Sequence, residues 1–141
     1  MIQSKRTLEL VLTDTQGKLF ELSFDQGLDS VDFIEKYMNS DVCAHFDLPF
    51  DHTQWAGEEY ILASLLDENP VKCGKQFNRE AMYWIGCVYR EWQLITNEKS
   101  KCIYKQADAN FMNMVYPGYH TISTQMAVER IKESKLPHNE N

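Results

Sequence analysis

Between Thr7 and Phe24 apolar and polar positions alternate. Leu8, Leu10 and Leu12 share one side of the first stretch, and Phe20, Leu22 and Phe24 share one side of the second. A period of two predicts strands. Asp14-Thr15-Gln16-Gly17 between them has turn composition, so residues 1–25 are expected to form a β-hairpin. A lone hairpin is marginal in water, and helices must cover its apolar face.

After Gly27 the period changes. Asp29 or Ser30 can cap a helix carrying Val31, Ile34, Tyr37 and Met38. Residues 40–54 read as irregular. Thr53 can cap a helix running to about Glu68, with Ile61, Leu62, Leu65 and Leu66 as its stripe and Asn69-Pro70 as its stop. Residues 71–77 read as a loop. Asn78 then caps the strongest helix, on which Ala81, Trp84, Ile85, Val88, Trp92 and Ile95 step by threes and fours and call for burial. Gly86 inside it costs about 1 kcal/mol against alanine, which points to a backbone passing close by. Ser100, Asp108 and Ser123 are caps for three further helices, with Pro117-Gly118 ending the second of them. The expected class is α+β, mainly α: an N-terminal hairpin on five or six helices. One globular domain spans residues 1–136, with the hairpin in 1–25, the helical part in 29–136, and a frayed tail in 137–141.

The length supports one core without a metal or disulfide. The four cysteines form no C-x-x-C pair and no export signal is visible, so they are expected to be buried thiols in a reducing cytoplasm. No apolar run is long enough to cross a membrane. The net charge of −7 is uneven. Residues 1–70 hold 4 Lys and Arg against 14 Asp and Glu, a net of −10, and residues 71–141 hold 10 against 7, a net of +3. The acidic half argues against broad nucleic-acid or anionic-membrane binding and suits a basic partner surface.

No nucleophile elbow, phosphate loop or zinc-protease pair is present, and no catalytic residue or cofactor is expected. Asp41, His45, Asp47, Asp51 and His52 could be weighed as metal ligands, but their spacing fits a structural loop better, so no metal is expected. The helical hairpin near 80–106 offers a DNA alternative, in which Lys99, Lys101 and Lys105 approach phosphates. Trp55, Tyr60, Tyr116, Tyr119 and His120 either plug the core or, where exposed, are the candidate anchors for a protein partner, with Asp29, Asp32, Glu35 and Asp41 as part of the contact surface.

Several segments also carry a family likeness. They are Phe33-Ile34-Glu35-Lys36-Tyr37-Met38-Asn39-Ser40, Gln54-Trp55-Ala56-Gly57-Glu58-Glu59-Tyr60-Ile61, and Tyr83-Trp84-Ile85-Gly86-Cys87-Val88-Tyr89-Arg90-Glu91-Trp92. Ser100-Lys101-Cys102-Ile103-Tyr104-Lys105 and Tyr119-His120-Thr121 follow in order. Together, over most of residues 20–132, they resemble an uncharacterised family of small Gram-positive bacterial proteins encoded in toxin–antitoxin-like cassettes beside a putative ADP-ribosyltransferase-like protein. Cys87 and Glu91 depart from the aromatic residues associated with the motif. The resemblance implies an antitoxin-like or accessory protein that binds a cassette partner and is not an enzyme. It carries over no catalytic residue.

Overall fold

The computed structural model describes residues 2–49 and 51–135. Among them there are eight α-helices and no strand. In order they are α1 (Ile2–Asp25), α2 (Ser30–Met38), α3 (Asp41–Phe46), α4 (Glu58–Glu68), α5 (Arg79–Thr96), α6 (Ser100–Gln106), α7 (Ala109–Tyr119) and α8 (Thr124–Lys135), with one 3-10 turn at His52–Trp55. The fold is therefore all-helical. The expected β-hairpin is wrong, and the expected α+β class falls with it. The nearest approach to a sheet is one isolated bridge between Leu28 and Cys73.

The reason lies in which positions of α1 are buried. They are Leu12, Gln16, Gly17, Leu19, Phe20 and Ser23, separated by four, one, two, one and three residues, which is one helix face. Leu10, the centre of the supposed first strand, is 53% exposed, and Val11 is exposed beside it. The alternation arose because leucines spaced for a helix, Leu8 and Leu12, bracket a solvent-facing Leu10. Gly17 read as a turn residue. It serves instead as a gap in a helix surface: a Cβ there would lie 2.7 Å from Cys87 Sγ and within 2.6 Å of the Tyr83 ring.

α1 runs antiparallel to α5. Asp14 meets Tyr83, Thr13 meets Cys87, and Glu21 and Asp25 meet Arg79, so residue numbers fall along α5 as they rise along α1. Gly17 faces Gly86 at the crossing. A Cβ on Gly86 would stand 2.7 Å from the Gln16 carbonyl oxygen and 3.0 Å from Gly17 Cα. The close approach expected at Gly86 is thus made by α1.

α2 starts at its Asp29 cap, whose carboxylate accepts from Asp32 N. Its buried Phe33 and Tyr37 join Phe20 of α1 in an aromatic cluster. The Phe20 ring stands edge-on to Phe33 at 5.1 Å and to Tyr37 at 5.6 Å, while Phe33 and Tyr37 stack at 5.8 Å. Such pairs contribute about 0.5–1.5 kcal/mol each beyond their buried area. α5 is capped by Asn78, which accepts from Ala81 N at 2.7 Å, as its sequence indicates. Trp84, Ile85, Val88 and Trp92 are buried, but Ile95, assigned to the same stripe, is 48% exposed near the C-terminal end. α8 packs on α5 through the fully buried Ala127, Val128 and Ile131.

Other boundaries shift. Residues 40–54 contain α3 and the 3-10 turn rather than irregular chain alone. α4 begins at Glu58 after Gly57, whose φ of +88° suits glycine, so Thr53 is not its cap. Lys99, not Ser100, is the capping position of α6. α7 continues through Pro117 to Tyr119 instead of ending before it. Cys43 and Cys87 are buried, but Cys73 and Cys102 are exposed, so the cysteines are not all buried thiols. The tail at 137–141 lies outside the described residues. Among the described residues no helix is long and apolar enough to cross a membrane.

Candidate functional site

Beneath the surface, α1, α2, α3, α5 and α6 converge on one polar hub. Arg90 of α5 is fully buried. Its guanidinium donates to Gln16 Oε1 from Nη2 at 2.7 Å, and to Asp47 Oδ1 and Gln93 Oε1 from Nη1 at 2.7 and 3.1 Å. Tyr37 donates to the same Gln16 Oε1 at 2.7 Å, and Gln16 Nε2 donates to the Gly86 carbonyl at 2.9 Å. The Arg90 carbon centre lies 4.5 Å above the Phe46 ring. Asp47, whose side chain is 9% exposed, spends its remaining capacity on the start of α6, accepting from Ser100 N at 2.9 Å and Ser100 Oγ at 2.7 Å. A buried cation with every partner in place specifies one arrangement of its helices, and losing a partner is costly. Burial also pushes the Tyr37 hydroxyl well above its ordinary range and the Cys43 thiol to about 11, so both are neutral beside it. The hub is a structural joint, and only Asp47 among its members borders an open cleft.

The sequence did not single out Arg90, Gln16 or Gln93. A signal was present: Gly86, Arg90 and Gln93 step by four and three along α5, a polar stripe beside the apolar one. The partners, however, sit up to 74 positions away.

The candidate metal ligands do not come together as a metal centre. Asp47 is tied to Arg90 and Ser100. Asp51 caps the 3-10 turn by accepting from Thr53 N and Oγ at 2.9 and 2.7 Å, and His45 Nδ1 is bonded to the Asp41 carbonyl at 2.9 Å. His52 is exposed 3.6 Å from Asp51. Among the described residues no three His, Cys, Asp or Glu side chains are grouped to hold a metal ion.

The candidate anchors fall in two places. Trp55 is 66% exposed and Tyr60 51% exposed, on the 3-10 turn and the first turn of α4, with Glu59 exposed between them. The turn that presents Trp55 is fixed from below, because the buried Gln54 donates from Nε2 to the Phe46 and Leu48 carbonyls at 3.2 and 2.9 Å. Tyr116, Tyr119 and His120 lie apart, at the end of α7. Tyr116 packs edge-on to Trp84 at 5.6 Å and stacks on His120 at 4.6 Å. Tyr116 and Tyr119 are partly buried against the core, and His120 is exposed.

The acidic candidates are already engaged in part. Asp29 caps α2. Asp32 receives Lys36 Nζ at 3.2 Å and Lys72 N at 2.9 Å. Burial would raise the Asp32 carboxyl, but these donors outweigh it and hold it below its ordinary range. Asp29, Asp32 and Glu35 line an open groove together with Lys72 and Lys75. That groove is of mixed charge, not a uniformly acidic face. Asp41 sits elsewhere, at the start of α3, where Glu68 accepts from Asp41 N and Val42 N at 2.8 and 3.2 Å.

Lys99 and Lys101 border a cleft of about 280 Å³ against Met38, Asp41, His45, Asp47 and Leu48, while Lys105 is exposed further along α6. Comparison of the chain with protein-family models, with curated proteins and with solved structures finds no match.

Proposed function

We infer that the chain is a non-enzymatic, antitoxin-like partner-binding protein acting in the cytoplasm, and that its partner docks on the Trp55–Tyr60 tip. The observation that carries this reading is Trp55. A tryptophan two-thirds exposed on a turn clamped by a buried glutamine gives up a large apolar contact to solvent while losing little freedom when it is covered. Its neighbours Asp51, Glu58 and Glu59 are acidic. A complementary surface is therefore basic around an apolar pocket, and charge attraction raises the association rate more than the affinity. The resemblance to toxin-linked cassette proteins supports an ADP-ribosyltransferase-like toxin as that partner. Nothing in the positions of Lys99, Lys101 and Lys105 favours the DNA alternative, since α6 has only seven residues and two of the three lysines border a cleft.

The test is co-expression and co-purification with the cassette neighbour. Wild type is expected to form a complex and relieve toxicity. The Trp55→Ala/Tyr60→Ala double variant is expected to fold normally, because both side chains are exposed, and to lose at least tenfold in affinity, which corresponds to about 1.4 kcal/mol. A wild-type chain that neither binds nor protects, or a double variant that binds as well as wild type, refutes the reading.

A further inference from the structure

Two groups of residues singled out for different chemistries share one cleft. Asp41, His45 and Asp47 have the chemistry of metal ligands, and Lys99 and Lys101 that of contacts to phosphates. The tertiary fold places all five around the same space of about 280 Å³, between the α2–α3 corner and the start of α6. Asp47 makes the junction, because its bonds to Ser100 N and Oγ hold α6 against the end of α3. Ala44 and Leu48 give the cleft an apolar wall over the buried Met38, and Leu48 is 51% exposed there.

The charge of this cleft runs against that of its surroundings. Residues 1–70 carry a net of −10, yet the cleft they wall is bordered by two lysines from the other half of the chain. Of its two carboxylates, Asp47 is met by Arg90 at 2.7 Å. That leaves Lys99 and Lys101 against Asp41 alone. Neither lysine has a carboxylate within ion-pair distance among the described residues. At about 280 Å³ the cleft falls just short of the roughly 300 Å³ at which small-molecule pockets begin, which limits it to a ligand of about one ring. Two lysines acting as point charges match a phosphate dianion better than a singly charged carboxylate.

We propose that this cleft binds a small phosphomonoester, with the phosphate held by Lys99 and Lys101 and the apolar body lying against Ala44 and Leu48. The site is separate from the Trp55–Tyr60 tip and does not depend on the partner reading.

Amide chemical shifts of the full chain, titrated with phenyl phosphate, test it, with inorganic phosphate and benzyl alcohol titrated in parallel. The expected result is saturable shifts confined to residues 38–48 and 99–101, at lower concentration for phenyl phosphate than for either control. Lys99→Gln/Lys101→Gln is expected to weaken phenyl phosphate at least tenfold and leave the remaining spectrum unchanged, since both side chains are exposed. Leu48→Gln is expected to weaken phenyl phosphate while sparing inorganic phosphate. Shifts spread equally over Lys72, Lys75 and Lys105, affinity untouched by the double substitution, or inorganic phosphate binding as tightly as phenyl phosphate would each overturn the proposal.

Discussion

Gly86→Ala tests the arrangement on which the fold depends. In an isolated helix the change would stabilise by about 1 kcal/mol, the intrinsic preference for alanine over glycine. Here the new methyl would stand 2.7 Å from the Gln16 carbonyl oxygen, 3.0 Å from Gly17 Cα and 3.0 Å from the Phe20 ring. Two of those three atoms are backbone and cannot rotate away. Overpacking of this kind costs about 1–3 kcal/mol. Separating the helices would also stretch the 2.9 Å bond from Gln16 Nε2 to the Gly86 carbonyl, a buried hydrogen bond with a net contribution of about 1 kcal/mol. The sum is a net destabilisation of about 1–3 kcal/mol despite the better helix former. Gly118→Ala is the matched control. It also lies in a helix, α7, but nothing stands within 4 Å of the new atom, so it should be neutral or stabilising by up to about 1 kcal/mol. Urea titration followed by tryptophan fluorescence measures both. If Gly86→Ala stabilises as Gly118→Ala does, α1 does not cross α5 at this point, and the helical assignment of residues 7–25 loses its main support.

Asp47→Ala is expected to cost about 3–5 kcal/mol, because it leaves the Arg90 guanidinium buried without its carboxylate. Adding Arg90→Met to that variant should raise the urea midpoint again, and additive losses would refute the hub. Glu98 ties the α5–α6 turn to α8, accepting from Trp92 Nε1 at 2.6 Å and Lys132 Nζ at 3.3 Å. Burial would raise its carboxyl, but those donors outweigh it and hold it below the ordinary range, so the folded state releases its proton more readily than the unfolded one. That stability is complete above the unfolded value of about pH 4.3 and is lost as pH falls through the folded value, so the acid-induced drop in midpoint should be shallower in Glu98→Gln. An unchanged pH profile in that variant would show that Glu98 gains nothing from its partners.

Some of this molecule is written locally. Asn78 followed by Trp84, Ile85, Val88 and Trp92 marks α5, its cap and most of its buried face, because a cap and a period of 3.6 need only neighbouring residues. Asp29, Asp108 and Ser123 mark helix starts for the same reason, each accepting a backbone N–H three residues on. Gly86 announces that something passes close, but not what. Along α1 local reading failed, since Leu8, Leu10 and Leu12 satisfy a period of two as well as Leu8, Leu12 and Gln16 satisfy a helix. The choice belongs to α5, whose Gly86 and Tyr83 accept only the face bearing Gln16 and Gly17. The functional surfaces divide in the same way. The exposure of Trp55 depends on Gln54 reaching back to Phe46 and Leu48, and the hub depends on Gln16, Asp47 and Arg90 meeting across 43 and 74 positions. Lys99 and Lys101 look like free surface charge in the chain and become the border of a cleft only when Asp47 draws α6 onto α3. Residue type and spacing set which helices form. Which of their side chains face one another is settled by long-range packing, where a single buried cation and a pair of glycines each admit one arrangement.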